Sequence, residues 1–219
     1  MEEFRLKIGE ADVSAVFQQA ESTKATIVFA HGAGAGMRHS TLESIASVLL
    51  SHDISMYRFN FPYMEAGKNR VDSNPVACEA IATALNDARS RSDGPFFLGG
   101  HSFGGRMASH AVVDLELAIS GLIFCSFPLH TAKRVNTSRA DHMDQIQVPM
   151  LFLSGTRDSM ATPDLMNEVV QKLGANLHWL DTADHGYKVL KRTRKREDDV
   201  FSEMGGYISA FVDSVLAES

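Results

Sequence analysis

Short unbroken apolar runs alternate along this chain with segments whose apolar residues recur every three or four positions. Residues 26–30 read TIVFA and pass directly into glycines; 95–99 read PFFLG and 149–154 read PMLFLS. Runs of this length, rich in β-branched and aromatic residues and stopped by Gly or Pro, are the pattern of strands covered on both faces. The strands expected on this basis are 26–30, 54–61 (stopped by Pro62), 95–99, 119–126, 149–154 and 176–180. Between them, Leu42, Ile45, Ala46, Leu49 and Leu50 fall at helical spacing and predict a helix over 39–51. Further helices are expected over 75–90, with Ser73 or Asn74 as cap, over 103–114, and over 163–173. The last of these has Thr162 as cap and Pro163 at the first helical position. A terminal amphipathic helix is expected over 201–216. Residues 3–8 and 12–18 read as an opening antiparallel pair joined around Gly9 and Glu10. Segments 63–74 and 127–147 are polar and read as a loop and an excursion.

Strand and helix alternate without a Pro/Gly/Ser-rich linker or an internal repeat, so one domain over 1–219 is expected. Repeated β-α-β order predicts an α/β fold of three layers, a mostly parallel twisted sheet with helices on both faces. Right-handed crossovers place the functional loops of such a sheet at the C-terminal edge of its strands. Chemistry is therefore to be sought just after each strand. The excursion over 127–147 is too short for a cap domain, which predicts a minimal cap or none and a shallow, open site.

Composition narrows the field. The chain has 219 residues, 44% hydrophobic and 22% charged, near the globular average. Its 21 basic and 27 acidic residues leave a net charge of −6, which argues against a general nucleic-acid binder. The N-terminus, Met1-Glu2-Glu3-Phe4-Arg5, has no signal-peptide character, and the apolar runs are too short to span a bilayer. Cys78 and Cys125 match no metal spacing and read as separate buried thiols of a reducing compartment. A soluble, cytoplasmic protein with no membrane or nucleic-acid partner is expected.

Four motifs follow predicted strands. Gly100-His101-Ser102-Phe103-Gly104 fits G-x-S-x-G between a strand and a helix. A nucleophile on so sharp a turn needs glycine two residues to either side, where a Cβ would strike the neighbouring elements. His31-Gly32-Ala33-Gly34-Ala35-Gly36 follows the strand TIVFA. Its amides can turn toward a developing oxyanion, with Ala33 N–H the first choice, Gly34 next, and Phe103 N–H, after the nucleophile, as the second donor. No Gly-Lys-Ser/Thr ending makes it a P-loop, and the G-x-G-x-x-G spacing is not met. His31 is expected to pack beneath the turn. Asp158, in Ser154-Gly155-Thr156-Arg157-Asp158, is placed to orient a histidine. Asp164, Asp181 and Asp184 compete with it, but Asp164 falls in a first helical turn and Asp184 adjoins the histidine. His185, in Ala183-Asp184-His185-Gly186, can accept a serine proton near neutral pH. The order Ser102, Asp158, His185 is what singles these three out among nine histidines and many acids.

With these motifs in this order the chain resembles the α/β-hydrolase superfamily, and within it the small, lidless, dienelactone-hydrolase-like branch. It is most similar to the testis-expressed-protein-30-like group, through FAHGAGAGM (29–37), FNFPYMEAGK (59–68), GGHSFGGRMAS (99–109), SGTRD (154–158) and ADHGY (183–187). The segment at 59–68 is the most group-specific. The resemblance implies a triad of Ser102, Asp158 and His185, oxyanion donors at Ala33 and Phe103, and hydrolysis of an ester or related acyl bond of a small substrate without metal or organic cofactor. It supplies neither the substrate nor the oligomeric state. Dienelactone hydrolases proper use a cysteine nucleophile where this chain has Ser102, so their substrate does not transfer. A binding or scaffold module of the same fold is the alternative. Six basic residues between Lys188 and Arg196 begin three positions after His185. They read as a solvated, locally paired loop, with selection of an anionic substrate as the functional alternative. Arg38 and Arg106 are expected near the same mouth.

Overall fold

The computed structural model describes residues 2–131 and 133–218; position 132 of the expected excursion lies outside them, as do positions 1 and 219 of the expected domain. The chain opens with the antiparallel pair β1 (Glu2–Ile8) and β2 (Ala11–Gln18). Then follow β3 (Ala25–Ala30), α1 (Ser40–Leu50), β4 (Ile54–Phe59), α2 (Pro62–Glu65), α3 (Asn74–Arg91), β5 (Phe96–His101), α4 (Phe103–Asp114) and β6 (Gly121–Cys125). A 3₁₀ segment, Ser138–Gln145, precedes β7 (Met150–Gly155), α5 (Pro163–Leu173), β8 (Asn176–Leu180) and α6 (Val200–Ala217).

Among the described residues eight strands form one open sheet in the order β1-β2-β4-β3-β5-β6-β7-β8. The pairs β1–β2 and β2–β4 are antiparallel, and every pair from β4 onward is parallel. Successive side chains of a strand point to opposite faces. Val28, Leu98, Leu122, Phe124 and Phe152 meet α3, α4 and α5 on one side, through residues such as Leu85, Met107 and Val169. Ile27, Phe29, Phe97, Ile123 and Leu153 meet α1 and α6 on the other, through Leu42, Leu49, Ile208 and Val212. Both faces being covered, β3, β4, β6 and β7 are buried at every position, which is why they are continuous apolar runs. Each such Leu, Ile or Phe contributes about 1.5–3 kcal/mol by leaving water. Arg58 in β4 departs from the pattern. Its guanidinium is buried but donates to the Met37 carbonyl and the Glu43 carboxylate, both at 2.8 Å, and to Gln18.

Two expectations are corrected. The strand over 54–61 stops at Phe59, and the loop over 63–74 begins inside a helix. Pro62 both ends the strand and starts α2, because its fixed φ suits a first helical position. Among its described residues the excursion after β6 holds the 3₁₀ segment and no α-helix or strand. Cys78 and Cys125 are both buried and unpaired, and burial pushes each thiol up to about 12.

Candidate active site

A sharp turn at Ser102 joins β5 to α4. Ser102 stands in it at φ 52° and ψ −113°, a conformation costing a non-glycine residue on the order of 1–3 kcal/mol. The Ser102 amide is tied to the Cys125 carbonyl at 2.9 Å, so the turn cannot relax. Its tightness rests on two missing side chains. A Cβ on Gly100 would lie 2.4 Å from the Gly104 carbonyl carbon and from the Gly105 nitrogen. A Cβ on Gly104 would lie 2.2 Å from the Ala30 oxygen. The glycines two before and two after Ser102 are thus what let α4 start directly over β3 and β5.

Three loops at the same sheet edge meet above this turn. His185, beyond β8, sets Nε2 2.9 Å from Ser102 Oγ and Nδ1 2.7 Å from Asp158 Oδ2. Asp158, beyond β7, has an inaccessible side chain, and its Oδ1 accepts the Met160 amide at 2.8 Å. A carboxylate only accepts, so Nδ1 carries the ring proton and the Nε2 lone pair faces the serine hydroxyl. The competing acids are occupied elsewhere. Asp184 Oδ1 accepts the amides of Gly186 and Lys188 at 2.9 Å, Asp181 lies near the Lys195 amide, and Asp164 is in the first turn of α5.

The glycine loop after β3 is held from below. His31 is fully buried; its Nε2 accepts the Phe61 amide at 3.0 Å, so Nδ1 carries the proton and donates to the Gly32 carbonyl at 2.8 Å. The segment 59–68 completes the support. Tyr63 Oη donates to the Ala33 carbonyl at 2.9 Å, and Asn60 Oδ1 accepts the Met37 amide at 2.9 Å. With its carbonyl engaged by Tyr63, Ala33 keeps its N–H unused by any described residue, as does Phe103 at the first position of α4. Both residues border a cleft of about 260 Å³ that also exposes Ser102.

His101 is a residue to which sequence reasoning assigned no part. Its Nε2 lies 2.9 Å from the His185 carbonyl, which fixes the proton on that nitrogen, and its ring packs against His185 and Tyr187. It props the loop that carries His185. The available signal was its place inside a buried turn, where an imidazole must find a partner.

Of the two arginines expected at the mouth, Arg106 lines the cleft; Arg38 instead pairs with Glu3 and Glu43. The basic run contributes no residue to this cleft among those described. Arg194 is bound to the buried Glu203, and Arg196 holds Asp198 with two contacts of 2.8 Å.

Burial of His31 and His101 lowers each pKa from 6.5 to about 4. The unfolded chain therefore takes up these protons first as pH falls. The stability contributed by the neutral rings is complete above about pH 6.5 and lost progressively toward pH 4, on the order of 3 kcal/mol per ring. The urea midpoint is expected to drop across this window; a constant midpoint from pH 7 to 4.5 would contradict neutral burial of both rings.

Comparison with known proteins places this arrangement in context. The model of a family described as an alpha/beta hydrolase domain matches residues 23–213. Among solved structures, a serine hydrolase of Xanthomonas campestris described as lacking a lid superposes with a TM-score of 0.75 at 18% identity, covering 97% of this chain and 94% of the other. Est1E of Butyrivibrio proteoclasticus, with ferulic acid bound, gives 0.78 at 13% identity over 98% and 99% of the two chains. A dienelactone hydrolase of Anabaena variabilis gives 0.73 at 14% identity over 95% of each. At these identities the likeness is one of fold.

Proposed function

We propose that this chain, which belongs to the alpha/beta hydrolase domain family, is a serine hydrolase that cleaves an ester or related acyl bond of a small substrate. One observation carries the reading: the unbroken hydrogen-bonded line from Asp158 through His185 to Ser102, ending beside two unused amides in an open cleft.

The chemistry follows from the donors and acceptors. Ser102 Oγ attacks the substrate carbonyl carbon as His185 Nε2 removes its proton. The imidazolium so formed is stabilised by Asp158, whose second oxygen stays on the Met160 amide and keeps the carboxylate from turning. Negative charge gathers on the former carbonyl oxygen, where the N–H groups of Ala33 and Phe103 receive it without reorganisation. Collapse of the tetrahedral intermediate expels the alcohol, protonated by His185. A water then repeats the sequence on the acyl-enzyme, releasing the acid and restoring Ser102. The open edge of the sheet, and fold neighbours that include a lidless enzyme and a dienelactone hydrolase, support assignment to the lidless, dienelactone-hydrolase-like branch. The group-specific segment at 59–68, which props the glycine loop, supports a place in the testis-expressed-protein-30-like group. The chain is read as a cytoplasmic enzyme whose partner is its small substrate. No helix among the described residues is long and apolar enough to cross a membrane.

A fluorophosphonate probe is expected to label the chain at one site, Ser102, identified by peptide mass spectrometry. Folded protein that resists the probe would overturn the enzyme reading and favour a binding module of the same fold.

A further inference from the structure

The cleft above Ser102 is bordered by three charged residues, Arg106, Arg139 and Asp72. Arg106 stands one helical turn beyond Ser102, its amide donating to the Ser102 carbonyl at 3.1 Å. Both residues border the one cleft, Arg106 from the first turn of α4. Arg139 reaches the same cleft from the 3₁₀ segment, with Nη1 anchored to the His130 carbonyl at 3.2 Å.

What distinguishes Arg106 is the absence of any acceptor. The buried arginines Arg58 and Arg194 each have a carboxylate, Glu43 and Glu203 respectively. Arg106 has no ion pair and no side-chain hydrogen bond among the described residues, and its Nε is buried without a partner. Its surroundings work against its charge: burial and the neighbouring Arg139 both lower its pKa. Asp72 does not neutralise it, since Asp72 Oδ2 accepts the Tyr63 amide at 3.1 Å and lies beyond ion-pair distance of either arginine. A half-buried, unpaired cation next to another cation carries a desolvation cost and a repulsion. An anion between the two heads relieves both costs at once.

Resting on the serine-hydrolase reading, we propose that Arg106 and Arg139 bind an anionic group on the acyl part of the substrate, so that acyl chains ending in a negative charge are hydrolysed in preference to neutral ones. The planar fork of a guanidinium donates paired N–H bonds to carboxylate or phosphate oxygens. Both arginines border the same cleft as Ser102, about 260 Å³ in volume, which calls for a short spacer between the scissile carbonyl and the anion. The recognition step is non-covalent; the bond broken is still the ester C–O bond, with water as the acceptor of the acyl group.

The test compares 4-methylumbelliferyl hydrogen glutarate with the neutral pentanoate, and adds the ester of 4-phosphonobutanoic acid to separate carboxylate from phosphate recognition. In the native enzyme kcat/KM for the glutarate is expected to exceed that for the pentanoate by about tenfold, the worth of one hydrogen bond to a charged group. That ratio falls toward unity in Arg106→Gln and in Arg139→Gln, and is kept in Lys191→Gln, which removes a charge from the basic run instead. A phosphonate ester faster than the glutarate supports the site and assigns it to phosphate. Equal rates on charged and neutral esters in the native enzyme, or a ratio untouched in both arginine variants, would overturn the proposal. Calorimetry of monomethyl glutarate with Ser102→Ala, with and without Arg106→Gln, separates the two readings. Arg106-dependent binding in a chain whose native form turns over none of the esters removes the hydrolase and leaves the anion site. Turnover of the neutral ester without such binding does the reverse.

Discussion

Ser102→Ala is expected to lower turnover of p-nitrophenyl acetate to the background rate, a loss on the order of 10⁶ in kcat by analogy with nucleophile removal in another serine triad. The substitution deletes the oxygen that His185 Nε2 faces at 2.9 Å, so no covalent intermediate forms. The two amides and the cleft remain, which leaves only the residual acceleration that positioning and oxyanion binding supply. Folding is expected to be nearly unaffected. Alanine meets the same backbone strain at φ 52° as serine does, and one half-exposed hydrogen bond is worth about 1 kcal/mol. The thermal midpoint should therefore shift by only a few degrees, roughly as that free energy implies. Retained turnover in a folded variant would remove Ser102 as nucleophile.

Asp158→Asn is expected to reduce kcat by on the order of 10⁴, and the local geometry says why. Asp158 Oδ1 accepts the Met160 amide at 2.8 Å while Oδ2 faces His185 Nδ1. An asparagine must keep its oxygen on that amide, because its NH₂ group cannot accept. The NH₂ then points at Nδ1, and imidazole responds by moving its proton to Nε2. In that tautomer the ring donates toward Ser102 and cannot take its proton. Asp184→Asn makes the contrast: Asp184 caps the amides of Gly186 and Lys188, so its replacement is expected to change kcat less than about tenfold, as befits a residue outside the reacting groups. Steady-state kinetics on both variants decide between them; a loss confined to Asp184→Asn would transfer the acid's role to that residue.

The two arginines of the cleft show where sequence reading reached and where it stopped. Arg106 could be placed near the mouth because it lies in the first turn of the helix that follows Ser102. Arg38 follows the glycine loop just as closely, yet its guanidinium turns to Glu3 and Glu43. Arg139 lies in a polar stretch without periodicity, and nothing in its neighbours marks it. His101 went unassigned for a related reason: its partner, the His185 carbonyl, is 84 residues away and a backbone atom.

Local rules carried much of the rest. The continuous apolar runs became buried strands because both sheet faces are covered. The glycines around Ser102 were legible because a sharp strand-to-helix turn leaves no room for a Cβ two residues to either side of the nucleophile, although the atoms that a Cβ on Gly104 would strike belong to Ala30, on another strand. Where one residue obeys two rules the reading slipped, as at Pro62, which both ends a strand and opens a helix.

By itself the amino-acid sequence determined the alternation of elements, the strained turn at Ser102 and the order of the three polar groups along the chain, since each depends on sterics and solvent exposure within a few residues. Only the tertiary structure decided that β6 lies between β5 and β7, that three loops meet over one turn, and which cations face the cleft. Those outcomes depend on how two covered faces pack around one sheet, and no local interaction specifies a distance across 27 or 83 residues.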